Sequence, residues 1–281
     1  MKTRRFPTGM QSLLRQPITV INLKLKPMIT KVAISSVDGM HRAGRLFKSA
    51  FTKALDWLLP RHCLMCGLAS GENNLCPPCR ADLPRTRQCC GRCGLPLPGH
   101  IETICGSCLQ RAPPWDRVIA ALDYQFPADV LIQRFKFQRS LACGVVLAEE
   151  LENALTGEAR ALPDAIVPVP LHHLRHASRT FNQSELLAAR VAKALGAPLK
   201  ARLLLRNRQT HAQSGLDARS RRRNTRGAFH CRSSEAHGLE HIALVDDVMT
   251  TGATIEACTR ELKRCGIREV SVWVVARAPP P

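Results

Sequence analysis

The chain has 281 residues, a formal net charge of +19, 45% hydrophobic residues and 13 cysteines. This hydrophobic fraction is enough to build a packed core and excludes a wholly disordered chain. The length fits one to three domains, and no apolar run approaches the roughly 18 residues of a membrane span. A charge of this size suggests a nucleic-acid partner, so its position along the chain matters.

Two segments carry nearly all of the positive charge. Residues 1–53 contain 11 Lys and Arg and one Asp, and residues 201–232 contain nine Arg and one Asp. The rest of the chain is close to neutral. The positive charge is therefore compatible with DNA binding. Because it is confined to two segments, it does not by itself predict DNA binding.

Residues 1–45 form a basic leader with few acidic residues. Its longest apolar stretch, Ile18 to Leu23, is shorter than the roughly 7–15 residues of a signal-peptide core. Composition leaves three interpretations open: a disordered basic arm, a start assigned upstream of the true one at Met28 or Met40, or a weak transit-like peptide. In the absence of a secretory signal, we expect a cytoplasmic protein.

An amphipathic helix is predicted after the leader. Between Ala43 and Leu59, apolar residues recur at steps of three and four, and Pro60 ends the pattern. Such a stripe can lie on a membrane surface, but it more commonly packs in a core.

Eight cysteines between residues 63 and 108 form four C-x-x-C pairs. A turn of this spacing presents two thiolates to one metal, and two such turns complete a tetrahedral four-cysteine zinc site. Sequential pairing of the turns is the simplest arrangement, while crossed pairing and Cys89 in place of Cys90 stay open. A disulfide scaffold is the alternative, which the lack of a secretory signal disfavours. Because every position is filled, we expect structural zinc bound by Cys63, Cys66, Cys76, Cys79, Cys90, Cys93, Cys105 and Cys108.

Beyond Pro113 the chain alternates between strand-like and helix-like segments. Such alternation predicts an α/β fold, in which a mainly parallel sheet is covered by helices on both faces. The predicted strands are 118–124, 165–169, 241–246 and 269–276, and the predicted helices are 129–137, 141–155, 183–195 and 252–265.

The segment from His241 to Thr254 has the most specific chemistry. An apolar strand ends in Asp246 and Asp247, and a loop of threonines with one glycine then leads into a helix. Ligands of open α/β sheets bind at the carboxyl ends of strands, where loop N–H groups and hydroxyls can bind phosphate. Carboxylates accept hydrogen bonds from sugar hydroxyls, so the pattern predicts a site for ribose 5-phosphate. A Walker lysine motif is missing, which argues against an ATPase.

The stretch VDDVMTTGAT resembles the phosphoribosyl-pyrophosphate motif of type I phosphoribosyltransferases, and residues 60–277 resemble the ComF family. Thr180 departs from the family pattern, which has Gly before Phe-Asn-Gln. The sequence therefore divides into three parts: the leader 1–45, which lies outside the resemblance, a helix with a double zinc-binding region at 46–112, and a type I phosphoribosyltransferase-like domain at 113–281. Further matches are Pro168 to Leu171, Arg175, Arg179, Phe181-Asn182-Gln183, Gln213, Leu216, Arg221, Asn224 and Gly227-Ala228-Phe229.

The resemblance also implies roles for individual residues. Asp246 and Asp247 would bind the ribose hydroxyls, and magnesium would accompany the substrate. Arg175 and Arg179 would bind the pyrophosphate in forked geometry, with Arg175, Asp246 and Asp247 as the catalytic residues. The 5-phosphate would be held by Thr250, Thr251, Gly252, Ala253 and Thr254.

Two other segments match the family. Residues 206–224 resemble a flexible loop that closes over the site, and Lys136 and Phe137 match a family position of unassigned role.

Two functions follow from the sequence. The first is displacement of pyrophosphate from C1 of the ribose by a nitrogen nucleophile, catalysed by positioning and charge stabilisation. The second is a non-catalytic nucleic-acid-binding or regulatory module, because competence members of the ComF family support DNA uptake. Single-stranded DNA or DNA-uptake proteins would then be partners, although three Trp and one Tyr offer few stacking platforms for bases.

Overall fold

The computed structural model describes residues 61–71, 73–97, 104–157, 162–171, 181–207 and 227–279. The leader, the predicted helix at 43–59, Arg175, Arg179 and most of the loop 206–224 lie outside these ranges. In chain order the elements are β1 (Arg61–His62), β2 (Ala69–Gly71), α1 (Pro77–Ala81), α2 (Gly106–Gln110), β3 (Arg117–Asp123), α3 (Ala128–Phe137), α4 (Leu141–Thr156), β4 (Ala165–Pro168), α5 (Gln183–Leu195), β5 (Leu204–Arg206), β6 (Phe229–Cys231), α6 (Ser233–Ala236), β7 (His241–Met249), α7 (Ala253–Arg264) and β8 (Glu269–Arg277).

Four parallel strands form the central sheet, in the order β3-β8-β7-β4. Eight of the nine residues of β8 are buried, as expected for a strand covered on both faces. Helices α3, α4 and α5 pack in one apolar cluster, and α7 packs in a second cluster with β5 and β6. The predicted fold class, a parallel sheet flanked by helices after an N-terminal cysteine-rich region, is confirmed.

Helices α3 and α4 are packed in close contact. A Cβ atom built on Gly144 would lie 2.6 Å from the ring of Phe135, so only glycine allows this approach. Phe135 in turn contacts Phe181, with 5.7 Å between ring centroids. These contacts hold the last turn of α3 next to the segment that begins α5.

The first cysteine-rich turns share the core of the sheet domain. Met65, Leu75 and Leu83 are buried in the same cluster as α3 and α4. Glu150 of α4 is buried and accepts hydrogen bonds from Arg80 at 3.1 Å and Arg85 at 2.9 Å. The second set of turns instead has a small cluster of its own, built around its cysteines.

Two differences between the structure and the sequence prediction concern β7 and the segment that follows Leu203. Strand β7 continues to Met249, three residues beyond the predicted end, because β8 pairs with it as far as Met249 and Arg277. The antiparallel pair of β5 and β6, which encloses residues 207–228, was not predicted. Strands of three residues are too short for a periodic pattern, and only their mutual pairing defines them.

Candidate functional site

Asp246 and Asp247 lie near the carboxyl end of β7, where the parallel strands of the sheet all end on the same edge. Both are part of the strand itself, whereas the sequence predicted them at its end. Because successive strand residues point to opposite faces, the two carboxylates have different neighbours.

Asp246 is partly buried and accepts a hydrogen bond from the hydroxyl of Ser184 at 2.8 Å. Its Oδ1 also accepts from the backbone N–H of Asp247 at 2.9 Å. Burial and then the charge of Asp247 raise the pKa of Asp246 to about 7, although Ser184 and Lys136 act in the opposite direction. Asp246 therefore changes its charge near neutral pH.

Asp247 is paired with Lys136, whose Nζ lies 3.0 Å from its Oδ1. Lys136 is in the last turn of α3, and the contact between α3 and α4 holds it in place. The sequence analysis noted Lys136 as a family match but assigned it no role, because its partner Asp247 lies more than 100 positions away in the chain. The ion pair gives this sheet edge a cation beside its two carboxylates.

Ser184 is placed by the start of α5. Asn182 caps this helix, since its Oδ1 accepts from the N–H of Ser184 at 3.1 Å. The Nδ2 of Asn182 donates to the carbonyl of Val169 at 3.1 Å, just beyond β4. The matched Phe181-Asn182-Gln183 segment thus ties α5 to β4, and sequence reasoning did not single out Ser184.

The loop after β7 leads directly into α7. Gly252 has φ of +75° and is the N-cap of α7 without a side-chain cap. A Cβ there would lie 2.9 Å from Cε of Met249 and 3.0 Å from Cη2 of Trp115, so glycine is required by both conformation and space. The N–H of Ala253 points to Oγ1 of Thr251 at 3.5 Å, and the positive end of the dipole of this 12-residue helix favours an anion at the loop. Trp115 packs beneath this loop, and no sequence signal identified it.

The eight cysteines form two groups of four, in the sequential pairing. Within each group all Sγ atoms lie within 4.8 Å of one another. Four thiolates about 2.3 Å from a tetrahedral zinc ion lie roughly 3.8 Å apart. The Sγ atoms of Cys66 and Cys76 are 3.7 Å apart, and those of Cys93 and Cys105 are 3.6 Å apart, so both groups fit zinc. Cys89 belongs to neither group.

Backbone N–H groups favour thiolates in both groups. The N–H of Met65 points to Sγ of Cys63 at 3.4 Å, and that of Cys105 to Sγ of Cys90 at 3.3 Å. Burial acts to raise these pKa values, but hydrogen bonds outweigh it and lower the pKa of Cys63 to about 6 and that of Cys90 to about 7. The thiolate is the form that binds metal.

Two further sequence predictions concern the arginines that would bind pyrophosphate and the lack of a membrane span. Arg175 and Arg179 lie outside the described residues, so the structure does not place them relative to Asp246 and Asp247. Across the part of the chain that is described, no helix has both the length and the apolar character needed to cross a membrane.

Known proteins resemble the chain over most of its length. Residues 54–109 match the model of the double zinc ribbon domain, which with the two cysteine groups supports structural zinc. Competence protein F of Haemophilus influenzae is 36% identical over 223 residues, which cover 77% of this chain and 96% of that protein. DNA utilization protein YhgH of Salmonella typhi is 37% identical over 225 residues, which cover 78% of this chain and 98% of that protein.

A solved structure is also similar in part. The glutamine phosphoribosylpyrophosphate amidotransferase from B. subtilis, complexed with ADP and GMP, has 21% sequence identity and a TM-score of 0.32. The similarity covers 46% of this chain and 26% of that one.

The full-length relatives, together with the double zinc ribbon, establish that this chain belongs to the ComF family.

Proposed function

We propose that the protein binds phosphoribosyl pyrophosphate together with magnesium, at the carboxyl edge of its sheet. The observation that carries this proposal is the arrangement along β7. Two carboxylates, Asp246 and Asp247, are followed within a few residues by the threonine-rich loop and the start of α7 at Gly252. Sugar hydroxyls need hydrogen-bond acceptors, and a 5-phosphate needs hydrogen-bond donors. Here the carboxylate acceptors come first along the chain, and the loop that would supply the donors follows directly.

The charges of the site support a sugar phosphate as ligand. Lys136 pairs with the carboxylate of Asp247 at 3.0 Å, which offsets its charge and leaves oxygen acceptors for a ribose hydroxyl. Asp246, held by Ser184, supplies a second acceptor when it is deprotonated. The N–H groups and hydroxyls of Thr250 to Thr254 would bind the phosphate.

Transfer of the phosphoribosyl group to a nitrogen nucleophile is the reaction that this arrangement would favour. The C1–O bond to pyrophosphate breaks, the new C1–N bond forms, pyrophosphate leaves with the bonding electron pair, and the nitrogen gives up its proton to solvent. Asp246 and Asp247 would hold the ribose in a fixed orientation, and Arg175 and Arg179 would stabilise the departing pyrophosphate. Such a mechanism depends on positioning and needs no covalent enzyme intermediate.

Magnesium fits the proposal as part of the substrate. Among the described residues, groups of three or more potential metal ligands occur only at the two cysteine groups. Magnesium prefers oxygen ligands and commonly binds through one or two carboxylates together with substrate phosphates. It would neutralise the charge of the pyrophosphate, and Asp246 and Asp247 are the nearby carboxylates that could assist.

Calorimetric titration with phosphoribosyl pyrophosphate and magnesium tests the proposal. We expect Asp247→Asn to weaken binding about 10- to 100-fold, since about 1.5–3 kcal/mol accompanies each lost hydrogen bond to a charged group. Asp82→Asn, the same change at an exposed position after α1, should leave affinity unchanged. Equal affinity of wild type and Asp247→Asn, or no binding by either, would contradict the proposal.

A second function, handling of DNA, is favoured by the names of the relatives. One is a competence protein and another a DNA utilization protein. We propose that the arginines of the segment 201–232 contact the phosphate backbone, in which case affinity depends steeply on salt. This role is compatible with phosphoribosyl pyrophosphate binding at the sheet edge.

Fluorescence anisotropy with a labelled oligonucleotide tests this second function. Replacing Arg221, Arg222 and Arg223 with Ala should weaken binding and reduce the slope of log K against log salt by up to about 2, at roughly 0.7 per lost phosphate contact. Replacing Arg260, Arg264 and Arg268 with Ala removes the same charge from α7 and from the residue before β8, where these arginines pair with acidic neighbours. An identical effect of both triple variants, or salt-independent binding, would refute a specific role for the segment.

A further inference from the structure

Arg277, the last residue of β8, joins the second cysteine group to the loop after β7. It is 5% exposed, and its Nε donates to the carbonyl of Cys93 at 2.7 Å. Its Nη1 donates to the carbonyl of Met249 at 2.9 Å and also to that of Thr250. One buried guanidinium therefore contacts both a metal-binding turn and the first residue of the candidate phosphate loop.

Other contacts bring the same two regions together. The indole N–H of Trp115 donates to the carbonyl of Arg92, between two cysteines of the second group. The ring of Trp115 lies under Gly252. Gly94 follows the same turn with φ of +69°, and a Cβ there would lie 2.9 Å from Val118 and 3.6 Å from Cδ of Arg277. The turn is thus packed directly against the sheet beneath the loop.

The charges agree with this geometry. Four thiolates around one zinc ion leave the second group with a net charge of about −2. Burial lowers the pKa of Arg277, and the charges of the surrounding thiolates act to raise it. The buried cation and the thiolate cluster stabilise each other, whereas either one alone would be a buried unpaired charge.

We propose that Arg277 is a positioning residue that couples zinc binding at the second cysteine group to the conformation of the loop 250–254. The carbonyl of Cys93 fixes the guanidinium, and the guanidinium fixes the carbonyls of Met249 and Thr250, so bound zinc would act on the loop by holding the turn at Cys93. The inference extends the proposed function, because it names a structural condition on phosphate binding at the same loop. Arg277 acts through the backbone and need not contact the ligand.

Hydrogen exchange of the full-length protein without ligand tests the coupling. In Arg277→Met we expect amides of residues 249–255 to exchange at least about tenfold faster, with both zinc ions retained and α5 unaffected. Cys90→Ser/Cys93→Ser, which removes the second zinc, should produce the same local change. Arg277→Lys keeps the charge but not the fork, so its loop should exchange at an intermediate rate.

Arg80→Met is the matched control. Arg80 also joins a cysteine-rich turn to the sheet domain, through Glu149 at 2.7 Å and Glu150 at 3.1 Å, but these partners lie on α4. Its substitution should leave exchange at 249–255 unchanged. Unchanged loop exchange in Arg277→Met or in the double cysteine variant would overturn the coupling, as would an equal increase in Arg80→Met.

Titration with ribose 5-phosphate separates the coupling from the proposed function. In Arg277→Lys, the affinity for ribose 5-phosphate should fall about tenfold while zinc content stays the same. If wild type does not bind phosphoribosyl pyrophosphate with magnesium, the proposed function fails, but the exchange result still decides whether Arg277 couples the two regions.

Discussion

Loss of the first zinc site is expected to destabilise the whole sheet domain, whereas loss of the second should have a local effect. Cys63 and Cys76 lie in the same buried cluster as α3, α4 and α5, together with Met65 and Leu75. Structural zinc contributes apparent binding free energies of about 10–16 kcal/mol, which equals or exceeds the roughly 5–15 kcal/mol that stabilises a typical domain. Cys63→Ser/Cys66→Ser should therefore yield a chain that is largely unfolded at room temperature.

The second group offers the contrasting case. Cys90, Cys93 and Cys108 form a separate small cluster, so Cys90→Ser/Cys93→Ser should unfold the second ribbon while the sheet keeps a cooperative thermal transition. Elemental analysis should find one zinc ion per chain instead of two. Cys89→Ser is the control, because Cys89 lies outside both groups and should leave two ions bound. Equal loss of stability from the two double variants would contradict the asymmetry.

Affinity for ribose 5-phosphate is expected to weaken about 100-fold between pH 8 and pH 5. Burial and the charge of Asp247 raise the pKa of Asp246 to about 7, so Asp246 becomes protonated below neutral pH. A neutral carboxyl group accepts hydrogen bonds less well, and one linked proton changes affinity by at most about tenfold per pH unit. The ligand phosphate also titrates in this range, so Asp246→Asn provides the baseline that must be subtracted.

Ser184→Ala sharpens this test. The hydroxyl of Ser184 stabilises the ionised carboxylate of Asp246, so its removal raises the pKa of Asp246 further. The midpoint of the affinity profile should then move to higher pH, with the same limiting slope. A midpoint that moves to lower pH, or a wild-type profile identical to that of Asp246→Asn, would show that Asp246 does not control the pH dependence.

The same pKa shift has a defined sign for folding. An acid whose pKa is higher in the folded state binds more protons there, so its contribution to stability falls as pH rises from about 4 to about 7. Above pH 7 the contribution is constant. Thermal unfolding of wild type and Asp246→Asn across this range should differ by a pH-dependent amount that levels off near neutrality.

Local patterns in the sequence were sufficient for much of the fold. Helix α5 was predicted with its observed bounds, Gln183–Leu195, because its apolar spacing and its Asn182 cap are local features. The C-x-x-C turns were equally readable, since two residues between thiolates already define a metal-binding turn. Asp246, Asp247 and the following loop were recognisable for the same reason, because their chemistry lies within one short segment.

The sequence by itself thus determined the longer helices and strands of the sheet domain, the C-x-x-C turns, and the segment that forms the candidate site. Only the tertiary structure decided how the C-x-x-C turns pair, that Lys136 and Ser184 face the two carboxylates, and that Arg277 joins the second cysteine group to the loop. The physical reason is that each of these contacts joins residues from different elements. Such contacts depend on how strands and helices pack, and no local pattern of spacing or composition encodes them.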